Sequence, residues 1–371
     1  MSQTTLVKTM DILFTNKMLN PSRFLRYVYR NDCRYQTTGQ VKQGSKIKTA
    51  SSVYRSMNIF DRKAKILQKE RAAQCEDYEL AEYIKEEVGW RTADRVFDIK
   101  RTFKNAVELG AGRGYVSRHF LPDSVEKITL CDTSQTHLNK AIVGDGVKFD
   151  KVVMDEENFE FPDNSIDLLV SSLALHWVND LPGCFDRVMR CLQPDGVFMA
   201  CVFGGDTLME LRQALQLAET ERKGGMSPHI SPFTRIRDIG GLLNAAGFTL
   251  QTVDVEALTI WYPSAWHLMR DVRTLGESNA ALNRPLHLDR DVQFAAAAIY
   301  DEMYGKDFPE KNSRGVPATF QIINFLGWKP DPSQPKPLER GTGEISLKDL
   351  HKIDEIIKDT NKVKLSEKDM K

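Results

Sequence analysis

The clearest structural signal in the sequence is the segment Val107-Glu108-Leu109-Gly110-Ala111-Gly112-Arg113-Gly114. It reads as the end of a strand followed by a tight turn with glycine at every second position. A turn so poor in Cβ atoms lets backbone N–H groups approach a ligand closely, and a helix beginning after it would add a positive dipole. The same pattern is also typical of a sharp bend without a ligand, so its meaning depends on the residues around it.

A carboxylate follows the glycine turn at the spacing that a bound nucleoside requires. Asp132 ends the apolar run Ile128-Thr129-Leu130-Cys131, where it can accept both ribose hydroxyls or merely cap a helix. Asp155 ends the next predicted strand and could face an adenine amino group, or could merely cap a helix. The candidate cofactor-binding residues are therefore Glu108, Gly110, Gly112, Gly114, Asp132 and Asp155.

Short apolar runs alternate with amphipathic segments from Asn105 onward, which predicts βαβ units and a parallel sheet. The predicted strands are 106–109, 127–132, 151–154, 166–171 and 196–203. The predicted helices are 115–120, 134–142, 181–192, 208–221 and 235–246. Right-handed crossovers make this a doubly wound, Rossmann-like α/β sheet that binds its ligand at the carboxyl ends of the strands.

Further segments precede, complete and follow this core. Residues 51–104 show helical periodicity, which predicts N-terminal helices before a core domain of residues 105–328. Extended patterns at 249–262 and 319–325 predict a two-stranded hairpin that closes the sheet edge, with a helical cap inserted over 264–314. Four prolines from Pro330 to Pro337 mark a linker, so 329–371 is predicted to be a linker followed by an exposed C-terminal helix.

The charge distribution is neutral overall and basic at the beginning. Lys+Arg and Asp+Glu both total 51, which gives no global electrostatic reason to expect nucleic acid as a partner. Residues 1–50 carry nine basic side chains against two acidic ones, which is typical of a mitochondrial targeting leader or of a basic arm without targeting value. The six cysteines include no Cys-x-x-Cys pair, so neither a zinc knuckle nor a redox dithiol is indicated.

The glycine turn resembles that of class I S-adenosylmethionine-dependent methyltransferases, because Glu108 precedes a Gly-x-Gly-x-Gly pattern and Asp132 follows it. The resemblance implies that the turn passes beneath the methionine part of S-adenosylmethionine and that Asp132 holds its ribose. At a finer level, three segments resemble the branch that contains the biotin-pathway malonyl-carrier-protein methyltransferases. These segments are 60–65, 173–178 and 192–196.

Within that branch, residues 51–329 are most similar to the mitochondrial complex I assembly factor 5 family of arginine hydroxylases. The segments 171–182 and 228–233 carry this resemblance, and the basic leader agrees with it. It implies a matrix enzyme, peripheral on the matrix side of the inner membrane, that hydroxylates an arginine on an iron–sulfur subunit early in complex I assembly. Other assembly factors would be further partners.

His176 and Trp177 follow the fourth predicted strand and are the candidate catalytic residues. Trp177 could form a wall of the pocket, stack on a sulfonium or guanidinium, or simply pack in the core. His176 could act as a base, orient another group, or be structural. Ser171-Ser172 stands where methyltransferases acting on amino groups carry Asn/Asp-Pro-Pro-Tyr, which disfavours that chemistry.

Arginine hydroxylation needs an oxidant, commonly a metal held by two histidines and a carboxylate. His287-Leu288-Asp289 has a suitable spacing but lies in a predicted loop, so we assign no metal ligand and leave the oxidant unidentified. An acidic cluster could attract an arginine-bearing substrate or form a solvated loop. Its members are Asp155, Glu156, Glu157, Glu160 and Asp163.

Three functions thus remain open. The first is an arginine hydroxylase that supports complex I assembly. The second is a methyltransferase acting on a carboxyl or acyl group, and the third is a noncatalytic assembly chaperone that retains the cofactor fold.

Overall fold

A mixed β-sheet organises the chain in the computed structural model, which describes residues 58–309 and 313–336. Within these residues the strands are β1 (Ala106–Leu109), β2 (Lys127–Asp132), β3 (Lys148–Val153), β4 (Ile166–Ser172), β5 (Leu192–Phe203), β6 (Thr249–Tyr262), β7 (Lys306–Phe308) and β8 (Ser313–Trp328). Their order is β3-β2-β1-β4-β5-β8-β6, and β7 pairs with β8. The first five strands are parallel, whereas β8 runs antiparallel between β5 and β6.

Helices precede the sheet, connect its strands and form a cap. They are α1 (Arg62–Ala73), α2 (Tyr78–Ala81), α3 (Tyr83–Phe97), α4 (Gln135–Lys140), α5 (Leu181–Cys191), α6 (Met209–Lys223), α7 (Ile236–Ala246), α8 (Ala265–Thr274) and α9 (Arg290–Tyr304). Local signals set their ends. Asp61 caps α1 by accepting from the Ala64 amide at 3.0 Å, and Gly247 ends α7 at a φ of 88°.

Both faces of the parallel strands are covered, which explains why β1 is buried at every position. Side chains of α5 and α7 pack on one face, and those of α3 and α4 pack on the other. A further apolar cluster joins α6, α8 and α9 to α3, β5 and β8, so the cap is packed directly onto the sheet. This packing leaves the carboxyl ends of the parallel strands beneath α1 and the cap.

The sheet confirms the predicted α/β fold class, and β1, β2 and β6 have the predicted bounds. The helix predicted at 115–120 is wrong, because only a single 3₁₀ turn forms at Ser117–His119. The buried Glu108 carboxylate accepts the amides of Val116 and Ser117, and Pro122 follows closely, so an α-helix cannot continue there. The segment predicted to be a helical cap, 264–314, contains the short strand β7. Strand β8 is far longer than the predicted strand at 319–325.

The structure does not test the predictions made for the two ends of the chain. The predicted leader, 1–50, and the predicted C-terminal helix lie outside the described residues. One compact unit ends at Asp331, and residues 332–371 form a second unit, of which 332–336 are described. No helix in the described part of the chain has the length and apolar character needed to cross a bilayer.

Candidate active site

The glycine turn after β1 requires glycine at its alternating positions. Gly110, Gly112 and Gly114 have φ angles of 68°, 56° and 76°, which other residues rarely adopt. A Cβ at Gly110 would also overlap the Cβ of Ala174, and one at Gly114 would overlap the backbone of Ile142. The turn is therefore held close to its neighbours and presents bare backbone at the carboxyl end of the sheet.

Glu108 lies behind this turn instead of facing the cleft. Its two carboxylate oxygens accept the amides of Val116 and Ser117, each at 3.2 Å, and the residue is only 1% exposed. Burial raises the pKa of its carboxyl to about 7, although these amides and Arg118 oppose the shift. Glu108 thus shapes the turn from below, which differs from the direct cofactor contact that its position suggested.

Asp132 lies at the end of β2, directly opposite the turn. Its Oδ2 accepts the Gly112 amide at 2.8 Å and its Oδ1 accepts the Ser134 amide at 2.8 Å, while the side chain is fully buried. The ammonium group of Lys69 lies 2.9 Å from the same Oδ2. Asp132 therefore fixes the turn and also binds a cation brought by α1.

The acid that faces the cleft after β3 is Glu156, where the prediction placed Asp155. Asp155 pairs with Arg62 at the rim, and its Oδ1 accepts the Glu157 amide at 2.8 Å, which turns it away from the cleft. Glu156 is buried and contacts Lys69 at 2.7 Å and Arg62 at 3.0 Å. Burial opposes ionisation, yet these two cations lower the pKa of Glu156 to about 2.

Helix α1 directs three cations into the cleft from one of its faces. They are Arg62, Lys65 and Lys69, which are spaced three and four residues apart. Lys69 bridges Asp132 and Glu156, and Arg62 pairs with the three acids at 155–157. The predicted acidic cluster therefore binds a guanidinium through its first three members. Its last two, Glu160 and Asp163, are exposed.

The third cation, Lys65, enters a separate half of the cleft built around Glu277 in the cap. Its Nζ lies 3.2 Å from Glu277 Oε2, 2.6 Å from the Gly276 carbonyl oxygen and 3.4 Å from the centroid of the Trp177 ring. Glu277 also accepts from Trp177 Nε1 at 2.7 Å and from Lys85 at 2.8 Å. A carboxylate, an aromatic face and a carbonyl thus surround one ammonium group.

Two ammonium groups share the Glu277 carboxylate, and their pKa values move in opposite directions. Burial lowers the pKa of Lys65 to about 7, with Glu277 opposing the shift and Lys85 adding to it. Burial opposes the charge on Lys85 as well, but Glu277 outweighs it and raises its pKa. Burial also disfavours ionised Glu277, yet Lys65 and Lys85 hold the pKa of its carboxyl well below its usual range.

The two candidate catalytic residues have different surroundings. Trp177 lines the cleft, and the cation over its ring is the ammonium group of Lys65 instead of the sulfonium or guanidinium that the prediction named. His176 is fully buried among Trp177, Phe203 and Phe233, with ring centroids 4.8 to 5.6 Å away. Its Nε2 lies 3.7 Å from Glu277, beyond hydrogen-bond distance, and burial lowers its pKa. His176 is therefore neutral at pH 7 and packs beneath Trp177.

A short segment before α1 ties the helix to both halves of the cleft. Asn179 Oδ1 accepts the amides of Ile59 and Phe60 at 2.9 and 2.8 Å, and its Nδ2 donates to the Phe60 carbonyl at 3.0 Å. Phe60 also forms a β-bridge with Ala281 of the cap. The position of α1 is thus coupled to the loop after β4 and to the cap.

The histidine and carboxylate considered for metal binding form a surface pair. His287 Nε2 lies 2.9 Å from Asp289, which also pairs with Lys223, and His287 is exposed. Among residues 58–309 and 313–336, no three side chains of histidine, cysteine or acid residues converge as a metal site.

Four residues of the cleft were not predicted from the sequence: Lys65, Lys69, Lys85 and Glu277. Glu156 was predicted only as a member of the acidic cluster. The spacing of Arg62, Lys65 and Lys69 is a usable signal, because it places three cations on one helix face. Glu277 carries no such signal, since it is a single acid in a loop after α8.

Comparison with known proteins agrees with this geometry. A methyltransferase domain family matches residues 107–200. The Homo sapiens protein named arginine-hydroxylase NDUFAF5, mitochondrial, is 47% identical over 304 residues, which cover 82% of this chain and 86% of the relative. The Danio rerio protein of the same name is 46% identical over 303 residues, covering 82% of this chain and 92% of the relative.

The chain belongs to the NDUFAF5 arginine-hydroxylase family. This membership confirms the resemblance drawn from residues 171–182 and 228–233, and it makes the protein a member of an enzyme family with a methyltransferase-like fold. The family members are named mitochondrial. A more distant relative is malonyl-[acyl-carrier protein] O-methyltransferase of Gallionella capsiferriformans, 30% identical over 284 residues, which cover 74% of this chain and 93% of the relative.

Proposed function

We propose that this member of the NDUFAF5 family is an arginine hydroxylase that binds S-adenosylmethionine at its glycine turn. Its substrate would be an arginine on an iron–sulfur subunit of complex I, modified early in assembly. The observation that carries the proposal is a buried cleft whose carboxylates already bind the cationic side chains of α1. Once α1 withdraws these cations, the carboxylates left behind would favour a cationic substrate over an acidic one.

The residues present fit an adenosyl group. The turn at 110–114 offers bare backbone, and the fully buried Asp132 sits at the strand end where a carboxylate can accept ribose hydroxyls. Tyr78, Tyr115, Thr133 and His137 line the same cleft and could enclose the base. Bound there, S-adenosylmethionine would supply a sulfonium, which can donate a methyl group or act as a fixed positive charge.

Cofactor binding requires Lys69 to leave Asp132. The ammonium group occupies the carboxylate oxygen that also accepts the Gly112 amide, so ribose hydroxyls and Lys69 compete for the same acceptor. Lys69 retains Glu156 as a second partner at 2.7 Å. We infer that α1 is a lid, which shifts when the cofactor enters.

The reaction converts a C–H bond of the arginine side chain into a C–OH bond, a two-electron oxidation. With dioxygen as the oxidant, one oxygen atom enters the new bond and the other leaves as water, which takes two further electrons and two protons from an external donor. The residues of this chain would bind and orient the arginine and exclude water from it. His176, being buried and neutral, would support Trp177.

The proposed place of action is the matrix side of the inner mitochondrial membrane, with peripheral attachment. The substrate subunit would be the main partner, and other complex I assembly factors would bind the same complex. This follows the family to which the chain belongs and the basic character of residues 1–50.

Mass spectrometry of the iron–sulfur subunit tests the proposal. Cells that lack the gene should lose the mass of one oxygen atom on an arginine, and the wild-type chain should restore it. Asp132→Ala should not restore it, because the turn and the ribose acceptor are lost together. Lys63→Ala, at an exposed position of α1, serves as the matched control and should restore it fully. An arginine that carries the oxygen without the gene contradicts the proposal.

Two alternatives have distinct outcomes. The relative from Gallionella capsiferriformans favours a methyltransferase acting on a carboxyl or acyl group, which would transfer labelled methyl from S-adenosylmethionine to a substrate. If the protein is a noncatalytic chaperone, its Asp132→Ala variant would still support complex I assembly. Either result would replace the hydroxylase proposal.

A further inference from the structure

We propose that Trp177 and Glu277 form the receptor for the side chain of the substrate arginine, and that Lys65 occupies this receptor in the closed arrangement of α1. The inference rests on the proposed function, since it assumes an arginine substrate. Trp177 and Glu277 would recognise the guanidinium, and Lys65 would block the site until α1 moves.

The contacts around Lys65 are those that a guanidinium would use. Its Nζ lies over the Trp177 ring at 3.4 Å from the centroid, 3.2 Å from Glu277 Oε2 and 2.6 Å from the Gly276 carbonyl. A guanidinium stacks on aromatic faces, pairs with a carboxylate through two N–H groups and has further N–H groups for a carbonyl. One planar group could satisfy all three partners at once.

The receptor also accommodates the apolar stem of an arginine. Lys65 is only 5% exposed, so its methylene groups are enclosed together with its charge. A second, mainly apolar cavity adjoins the receptor and shares Trp177, Lys85 and Glu277 with the first. Its other lining residues are Ile84, Phe203, Thr207, Leu208, Phe233, Val272, Leu275 and Phe320. An arginine stem would therefore lie against apolar surface, where its C–H bonds are shielded from water.

The receptor faces the cofactor half of the same cleft. Gly110, Gly112, Trp177 and Glu277 line one continuous cavity, so an arginine bound at Glu277 would meet a ligand bound at the glycine turn. The site of Arg62 is less suited to this purpose. Of its acids, Asp155 lies at the rim with its side chain 30% exposed, and the buried Glu156 is already paired with Lys69.

Lys65 is the cation that can be displaced. Lys85 contacts the other oxygen of Glu277 at 2.8 Å and also donates to the Leu275 carbonyl at 3.2 Å, so it can remain when Lys65 leaves. Burial lowers the pKa of Lys65 to about 7, whereas an arginine keeps its charge when buried. An incoming guanidinium would thus hold the carboxylate more strongly than the lysine that it replaces.

Binding of short peptides to the purified full-length chain tests the receptor. The probes are acetyl-Gly-Arg-Gly-amide and its citrulline analogue, which has nearly the same shape without the charge, and the readout is calorimetry. Lys65→Ala should bind the arginine peptide about tenfold more tightly than wild type, because the competing side chain is gone. Lys65→Arg should bind it about tenfold more weakly, because a tethered guanidinium fills the receptor.

Two further variants control for specificity. Lys63→Ala, on the exposed side of the same helix, should bind as wild type does. Glu277→Gln added to Lys65→Ala should abolish the gain, and the citrulline peptide should bind none of the variants measurably. Lys65→Arg preserves the charge and the fold, so it keeps the test decisive even if Lys65→Ala unfolds.

The receptor is refuted if Lys65→Arg binds the arginine peptide as tightly as wild type, or if folded Lys65→Ala shows no gain. These outcomes differ from failure of the proposed function. Normal oxygen incorporation by Glu277→Gln at unchanged KM would exclude the receptor and retain the hydroxylase. Tight arginine binding without any oxygenated product would retain the receptor and exclude the hydroxylase.

Discussion

The two halves of the cleft are built in different ways. The cofactor half consists of a backbone turn, a strand-end carboxylate and Glu156, all within the parallel strands and their first loops. The cap half joins Lys65 of α1, Lys85 of α3, Trp177 after β4 and Glu277 after α8. Helix α1 closes both halves, through Lys69 in the cofactor half and Lys65 in the cap half. The comparison shows that local sequence can position the first, whereas only the tertiary structure assembles the second.

The largest expected effect comes from breaking the cofactor half alone. Gly110→Ala places a Cβ against that of Ala174 at a φ of 68°, which should destabilise the fold by about 3 kcal/mol and weaken S-adenosylmethionine binding at least about 100-fold. Calorimetry and urea unfolding measure the two effects. Gly240→Ala is the control, because its Cβ meets no atom within 4 Å inside α7, and it should raise stability by up to about 1 kcal/mol. Wild-type cofactor affinity in Gly110→Ala would show that the turn does not form the site.

The next effect concerns Glu108, which supports the turn from behind. Its pKa is raised to about 7, so the neutral carboxyl favours the folded state. The stability that it contributes is fully present below about pH 4.5 and is lost as the pH rises through about 7, an effect of up to about 3 kcal/mol. The difference in unfolding free energy between wild type and Glu108→Gln, measured by urea from pH 4.5 to 8, should change in this direction. A constant difference would mean that Glu108 does not titrate there.

A smaller effect should come from Lys69, which covers Asp132. Lys69→Met removes a competitor of the ribose and should tighten S-adenosylmethionine binding about fivefold. Its effect on binding of the arginine peptide should be smaller, because Lys69 pairs with Asp132 and Glu156 and acts on Lys65 only through its charge. Weaker cofactor binding in this variant would instead make Lys69 a ligand of the cofactor.

The smallest expected effect concerns His176. Because it is neutral and packed against three aromatic rings, His176→Phe should change the rate of oxygen incorporation by less than about threefold. Loss of a general base would instead cost about 100-fold or more. The pH profile between 6 and 8 should also keep its shape, and a lost inflection would restore His176 as a catalytic residue.

The sequence predicts the cofactor half well because its parts are local. β1 and β2 are short apolar runs that end at the glycine turn and at Asp132, and the alternating glycines identify the turn. The helix predicted after the turn failed because Glu108 takes the amides of Val116 and Ser117, a competition that periodicity cannot show. β3 began three residues earlier than predicted because its exposed residues give no burial pattern.

The cap half could not be predicted for a different reason. Glu277 is one acid among many, and its partners come from segments far apart in the sequence. Trp177 was found because it follows a strand end, where residues reach the ligand. Its partner Glu277 reaches it only through the packing of the cap, and the spacing of residues in the sequence does not reveal that packing.

The side chain of Asn179 has a kinetic consequence. It satisfies three backbone groups of Ile59 and Phe60, each bond contributing about 1 kcal/mol, so moving α1 exposes all three groups to water. Three such bonds would hold about 99% of the molecules closed at rest, and every turnover would require α1 to open. Faster amide hydrogen exchange along α1 in Asn179→Ala, together with a higher turnover number, is the expected sign; unchanged exchange would argue against such a gate.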